Sequence, residues 1–283
     1  MTISAHIIAD SMNTSGVRIT TMELIYPRFI HAELMTHRVF SRNASSSRAI
    51  PVKKMLSDVW HNPADPIHWG ANQPGMQANG ELEGLKLRVA KLLWRAAGKM
   101  ACVPVKLMSM IGLHKQVANR ILEPWQHIHV VVTSTEWDNF YALRCHSNAQ
   151  PEMRELAEAM QLVQNLSSPR ILSVGEWHLP YVSHEDKKEM EIEDAIKVSA
   201  ARCARVSYLN HGGVKSSLIQ DHRLYDRLLG ASPPHMSPVE HQAVATTGAM
   251  RYANFRGWIS HRFMVENRPC LLYTSPSPRD RTR

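Results

Sequence analysis

The stretch HRVFSRNASSSR, His37 to Arg48, decides how the rest of this chain is read. In twelve residues it carries one His, three Arg, one Asn and four Ser, with Val39 and Phe40 as its only large apolar side chains. A segment so poor in apolar surface cannot bury itself. Arginine forks, serine hydroxyls and the backbone N–H groups of a Ser-rich turn together match phosphate oxygens and the polar edge of a base, through charge-assisted and bidentate hydrogen bonds. An arbitrary Ser/Arg-rich run would be a solvated loop. Here His37, Arg38, Ser41, Asn43, Ser46 and Arg48 fix six positions in twelve, as His-Arg-x-x-Ser-x-Asn-x-x-Ser-x-Arg, and that spacing makes chance the poorer explanation.

Upstream, Val17 to Tyr26 partly alternates and is rich in β-branched residues, which predicts a strand. Pro27 ends it and opens a short helix over 28–36, with Phe29, Ile30 and Leu34 available for packing. Downstream, Pro51 to Gly80 is rich in Pro, Gly and Asn with Trp60 and Trp69 interspersed, and reads as a long loop or lid. Leu82 to Met100 sets Leu85, Val89, Leu92 and Leu93 on one face and Lys86, Arg88 and Arg95 elsewhere, an amphipathic helix whose Met and Leu stripe is expected in the core. A second helical stretch spans Leu113 to Leu122, Pro124 breaks it, and HIHVVVTS (His127 to Ser134) reads as a buried strand. A helix capped by Ser134 or Thr135 is expected to run through Leu143, another to span Pro151 to Asn165, and Glu185 to Glu193 to be charged and solvated.

With 283 residues, 44% of them hydrophobic, the chain can build a substantial core. No basic start followed by an apolar run and a cleavage site opens the chain, and no segment approaches the ~20 continuous apolar residues of a membrane span. The expectation is a cytoplasmic protein without a membrane partner. Cys102, Cys145, Cys203 and Cys270 show no CxxC pairing, which fits a reducing compartment and gives neither a disulfide framework nor a metal site. The net charge of +8 points to an anionic partner, a nucleic acid or a phosphorylated small molecule, and cannot choose between them. From Cys270 the chain reads CLLYTSPSPRDRTR, a Ser/Pro/Arg-rich tail that matches the translation of a common sequencing-library adapter. Residues 270–283 are therefore expected to be non-native and 1–269 to form the domain; without the tail's net +2 the charge is 8 − 2 = +6.

The His37–Arg48 spacing resembles the hallmark of flavin-dependent thymidylate synthases. Thr36 stands where that hallmark begins with Arg, Ala44 where it has Glu and Ser47 where it has Gly, while the phosphate-binding Ser and Arg are retained as Ser46 and Arg48. A second block, QVANRILEP (Gln116 to Pro124) and TSTEWDNFYALRCHSNAQPE (Thr133 to Glu152), is similar to the family's later nucleotide and flavin segment. The family's Asn before this helix is Thr133 here. A third block resembles the family's opening segment: VSAARCARVSYLN (Val198 to Asn210), then DHRLYDRLLGASPPHMSPVEHQ (Asp221 to Gln242). It stands after the hallmark instead of before it, which implies a circularly permuted order. FRGWISHRFMVEN, Phe255 to Asn267, echoes the hallmark through His261, Arg262 and Asn267 but lacks its serines, and reads as structural.

The resemblance implies an α+β fold, a single domain with a mixed or antiparallel sheet flanked by helices. It implies dUMP as substrate, held by Ser46, Ser47, Arg48, Arg120 and Arg144, and FAD as cofactor, held by His37, Arg38, Asn43, Asn139, Ser237 and Glu240. Arg144 and His235 would be catalytic: a guanidinium against the pyrimidine O4 and N3 edge stabilises negative charge developing on the ring. Standing alone, Arg144 would read as a surface arginine at a helix end, and His235 to His241 as a Pro-bounded surface loop. NADPH and methylenetetrahydrofolate are the implied co-substrates, and a homotetramer with its site between subunits the implied assembly. No cysteine nucleophile is needed, so Cys145 is expected to pack. Two rivals remain, a related pyrimidine nucleotide hydroxymethylase and a basic nucleic-acid-binding protein without catalysis, the latter requiring stacking aromatics where the hallmark has only Phe40.

Overall fold

The computed structural model describes residues 3–183, 186, 190–208 and 216–267. The expected tail, 270–283, lies outside the described residues.

Ser4–Asn13 (β1) and Arg18–Pro27 (β2) form an antiparallel hairpin, from Ser4 opposite Ile25 to Met12 opposite Arg18, with a bulge between Ile7 and Ala9. Asn13 closes the turn by accepting hydrogen bonds on Oδ1 from the N–H groups of Ser15 and Val17. β2 pairs antiparallel with His127–Ser134 (β4), β4 pairs antiparallel with Ser41–Ala44 (β3), and Arg170–Leu172 (β5) lies parallel to β1. The order β3-β4-β2-β1-β5 is the expected mixed sheet. Strand β1 has no counterpart in the sequence reading. SAHIIADSMN is diluted by Ala, Asp, Ser and Asn, which strands disfavour, and its pairing with β2 overrides that preference.

Side chains alternate across the sheet. Met22, Leu24 and Tyr26 of β2 and Ile128, Val130 and Val132 of β4 share a core with Phe40, with Phe140 and Tyr141 of Asp138–Arg144 (α5), and with Met153, Leu156 and Met160 of Pro151–Leu166 (α6). The helix Ile192–Tyr208 (α7) contacts β3 and β4. A small sheet of Trp258–Ser260, Ala243–Ala245 and Trp177–His178 completes the fold, with Phe255 and Trp258 buried against Ile19 and Leu172.

Several expectations are corrected. Residues 51–80 are not one loop. Val52–His61 (α2) is a helix that buries Met55 and Val59, a spacing masked by the Pro- and Gly-rich residues after it. The following helix, α3, runs from Gly84 to Met110 instead of stopping at Met100, and Pro104 lies inside it. Its packed side is Gly98, Cys102 and Val105, not the Leu85, Val89, Leu92 and Leu93 stripe, which is exposed. A Cβ on Gly98 would sit 3.0 Å from the Trp125 indole, so this close approach requires glycine. The stretch 113–122 is a short helix, Lys115–Ala118, continued by a 3-10 turn, Asn119–Trp125. Helix α5 has no side-chain cap; Ser134 Oγ accepts instead from the N–H of Glu136. Of the stretch 185–193, residues 185 and 187–189 lie outside the described residues, and from Ile192 the chain is helical. No helix among the described residues is long and apolar enough to cross a membrane.

Candidate functional site

The hallmark begins after a short helix, His31–Leu34 (α1), and its middle is the edge strand β3. Arg42 donates through Nη1 to the carbonyls of Leu34, Met35 and His37, gathering the end of the short helix and the turn after it. Asn43 does the opposite work, tying the strand to distant chain. Its Nδ2 donates to the carbonyl of Cys203 at 2.7 Å, and its Oδ1 accepts from Ser237 Oγ at 3.3 Å. Ser41 Oγ accepts from Asn254 Nδ2 at 3.3 Å. The block that follows everything else in sequence therefore lies against the hallmark in space.

Beyond β3 the Ser-rich turn is held from three sides. Ser45 bonds through its N–H to the carbonyl of His129 (2.8 Å) and accepts on Oγ from the N–H of His129 (3.1 Å). The buried Ser47 donates its hydroxyl to Glu123 Oε1 at 2.5 Å. Asn119 Nδ2 donates to the carbonyls of Ser47 (2.7 Å) and Ile50 (2.9 Å). With Ser45 and Ser47 turned inward, Ser46 and Arg48 face a pocket of about 370 Å³, shared with Asn43, Gln116, His235 and Ser237 and walled by Leu228 and Pro238. A concave site with a few convergent polar groups on an apolar wall is the ordinary form of a small-molecule pocket.

The start of the hallmark faces elsewhere. Arg144, at the end of α5, donates from Nε to His37 Nε2 (3.0 Å), from Nη1 to Glu33 Oε2 (3.2 Å) and from Nη2 to Thr36 Oγ1 (3.2 Å). His37 is buried, with its ring stacked on Phe40 and edge-on to Phe140. Burial, with the Arg144 and Arg42 guanidiniums beside it, holds its pKa below the ordinary imidazole value, so a neutral ring accepts from Arg144. Arg144 and Glu33 border a second, larger pocket of about 790 Å³, with Phe29, His68 and Trp94 among its walls. Thr36, in the place of the hallmark's first Arg, is one of the groups that hold Arg144.

The remaining expected site residues are dispersed. Arg120 pairs with Glu123 at 3.2 Å, adjoining the Ser47 bond, and borders neither pocket. Arg38 and Asn139 are exposed and also border neither. Glu240 is ion-paired with Arg262. Cys145 packs at the margin of the main core and burial pushes its thiol pKa up. Beside the site, a buried chain of hydrogen bonds runs from Ser11 Oγ to His178, to Thr21 Oγ1, to Thr133 Oγ1 and to His241 Nδ1, with separations of 2.7–2.9 Å. Thr133, in the place of the family's Asn, links Thr21 to His241 in that chain. Among the described residues no group of three His, Cys, Asp or Glu side chains is arranged to hold a metal ion. The sequence reading missed Arg42, Asn119, Glu123 and the Cys203 carbonyl. All four lie inside the quoted blocks, Arg42 in the first, Asn119 and Glu123 in the second and Cys203 in the third, but none was singled out.

Three comparisons bear on this arrangement. The family described as thymidylate synthase complementing protein matches residues 18–165, just over half of the chain, spanning the hallmark and the second block. No curated protein matches significantly. Among solved structures, the UMP/dUMP methylase PolB from Streptomyces cacaoi, bound with 5-Br dUMP, is 15% identical with a TM-score of 0.47, over 58% of this chain and 90% of that one. Thymidylate Synthase X (ThyX) from Helicobacter pylori, with FAD and dUMP, is 19% identical with a TM-score of 0.35, over 52% of this chain and 67% of that one.

Proposed function

We propose, since this chain belongs to the thymidylate synthase complementing protein family, that it reductively methylates dUMP to dTMP, with FAD as cofactor and NADPH and methylenetetrahydrofolate as co-substrates. The observation that carries the reading is the convergence of Ser46, Arg48, His235 and Ser237 on one pocket, although up to 191 residues of chain separate them. Arg48 and Ser46 suit the dianionic phosphate of a nucleoside monophosphate, by a guanidinium fork and a hydroxyl. Arg144, already oriented by His37, Glu33 and Thr36, supplies positive charge to the O4 and N3 edge of a pyrimidine ring, where negative charge develops on addition at C6. Ser46 and Arg48 border one pocket and Arg144 another, an arrangement that suits a site completed between copies of the chain in a homotetramer.

For FAD, the donor set fits in part. Beside the Ser46 and Arg48 given to the nucleotide phosphate, the pocket offers His235 and Ser237, with Leu228 and Pro238 as an apolar wall, to a polar edge of the cofactor. Asn43 has both amide atoms engaged, so its role toward flavin is to fix Ser237 at the pocket. Bound flavin supplies the redox chemistry, and the chain supplies orientation and charge.

A hydroxymethylating relative is the second reading, favoured by Thr36 and Ala44 at two hallmark positions. A nucleic-acid binder lacks its stacking platform, because Phe40 is buried. The test is the absorbance spectrum of the purified protein, then the product formed from dUMP, methylenetetrahydrofolate and NADPH, identified by mass. A yellow protein making dTMP is expected, with Arg48→Ala weakening dUMP binding ~10- to 100-fold, the worth of a charge-assisted bond. A protein that stays colourless with added FAD refutes the proposal.

A further inference from the structure

Helices α2 and α3 enclose a groove that the site above does not use. Lys53, Leu56, Ser57, Trp60 and His61 recur at three and four residues, so they form one face of α2. That face borders a pocket of about 470 Å³ whose second wall is Cys102, Val103 and Lys106 of α3. The volume lies within the ~300–1,000 Å³ of small-molecule sites. Cys102 is buried in one cluster with Met55 and Val59, while Trp60 and Val103 are about half exposed and leave an apolar lining open to a ligand.

The two ends of the groove differ in charge. Arg95 pairs with Asp65, and the Lys99 ammonium lies 5.4 Å from the centroid of the Trp60 ring, so α3 runs antiparallel to α2 and the chain that leads out of it. Seven residues before Trp60 stands Lys53 and seven after Lys99 stands Lys106, about 10 Å along each helix. The antiparallel run carries both lysines to the same mouth, and both border the pocket. Among the described residues no acid borders it. Helix α3 has no Asp or Glu, and Asp58, the one acid of α2, meets Lys54 at 3.1 Å and borders a different cleft, beside β4. Two ammoniums at one mouth repel until an anion lies between them, and the lysine stems extend the apolar lining up to that point.

We infer that this groove binds a free medium-chain fatty carboxylate, with its alkyl chain laid on Leu56, Trp60 and Val103 and its carboxylate between Lys53 and Lys106. An apolar trough between two helices suits an extended chain, and paired cations at one end suit a single anionic head. A nucleotide phosphate finds no guanidinium fork along this lining. A bilayer presents many headgroups to a broad face, whereas this trough has a wall on each side and a buried floor. The inference does not rest on the chemistry proposed above, because binding is read without flavin, folate or dUMP.

The test is isothermal titration calorimetry of the full chain with decanoate, octanoate and decan-1-ol, each kept below the concentration at which it aggregates. Octanoate, two methylenes shorter, is expected to bind roughly 5- to 15-fold more weakly than decanoate, and decan-1-ol, without the charge, roughly 10-fold more weakly. Lys53→Met and Lys106→Met keep an apolar stem and remove the ammonium; each is expected to weaken decanoate about 3-fold and the double variant about 10-fold. Both positions are exposed, so far-UV circular dichroism is expected to stay unchanged. Arg48→Ala, at the other pocket, is expected to leave decanoate binding as it was. If the double variant fails to fold, the wild type decides: decanoate binding more tightly than both octanoate and decan-1-ol supports the site. No binding of decanoate, decan-1-ol binding as tightly as decanoate, a folded double variant that binds like the wild type, or binding lost in Arg48→Ala overturns it. So does a chain that sediments with phosphatidylserine vesicles while taking up no decanoate.

Discussion

His241 makes the fold sensitive to acid. It is fully buried, its Nδ1 is bonded to Thr133 Oγ1 at 2.9 Å, and its Nε2 meets no polar partner among the described residues. Burial takes its pKa from the ordinary 6.5 down to about 3. The unfolded chain therefore takes up a proton between pH 6.5 and 3 that the folded chain refuses, and stability falls as the pH falls through that window. At 1.36 kcal/mol per unit the loss from this one ring is about 2 kcal/mol at pH 5 and about 3 kcal/mol at pH 4. Those are large fractions of a domain's 5–15 kcal/mol. The perturbation is His241→Asn, whose amide can reach Thr133 from the position of Nδ1 and cannot titrate. Urea unfolding at pH 7 and pH 5, followed by circular dichroism, is expected to show the wild type losing about 2 kcal/mol more than the variant over that interval. The comparison uses the change with pH, so any uniform cost of the substitution cancels. Equal losses in the two proteins would refute the reasoning.

Asn43→Ala leaves the buried Cys203 carbonyl without its donor and releases Ser237, and is expected to lower stability by about 1–3 kcal/mol, read as a fall in the urea midpoint. Flavin or nucleotide affinity, measured by titration, should fall with it, because the pocket loses the contact that fixes Ser237. Arg144→Lys keeps the charge and loses the planar fork that meets His37, Glu33 and Thr36 together. Turnover of dUMP is expected to drop ~10- to 100-fold while the urea midpoint moves by no more than the ~1 kcal/mol typical of an exposed ion pair.

The strands β2 and β4 were legible as runs rich in β-branched residues, buried on both faces, and the helix α6 because it buries one face. Helix α3 was legible as a helix and misread in its facing. Its inner line, Trp94, Gly98, Cys102 and Val105, is chosen for close packing and is less apolar than its outer line of Leu, Val and Met. Hydrophobic periodicity finds lines without saying which is inside. The hallmark's spacing located the site's centre, yet set Ser47 beside Ser46 at the nucleotide. A turn has no period, so nothing local separates Ser46, at the pocket, from Ser47, turned inward to Glu123. The meeting of Ser237 and Cys203 with Asn43 depends on how α7 lies across the sheet, a matter of tertiary packing that residue order cannot carry.

The turn of the first hairpin sets a schedule for the nascent chain. Asn13 Nδ2 donates to the carbonyls of Thr246, Gly248 and Gly257, at 3.2, 3.3 and 3.0 Å. Gly257, at φ +66°, leaves no room for a Cβ, which would come within 2.6 Å of that amide nitrogen. The hairpin turn is thus completed by a residue 244 positions further along the chain. At ~5–20 residues per second, the hairpin waits roughly 12–50 s for those partners. Through that interval the edge of β1 that later receives β5 and the Asn13 amide are open to whatever else the cell presents. A chain halted before residue 246 leaves its first turn without any of these three carbonyls.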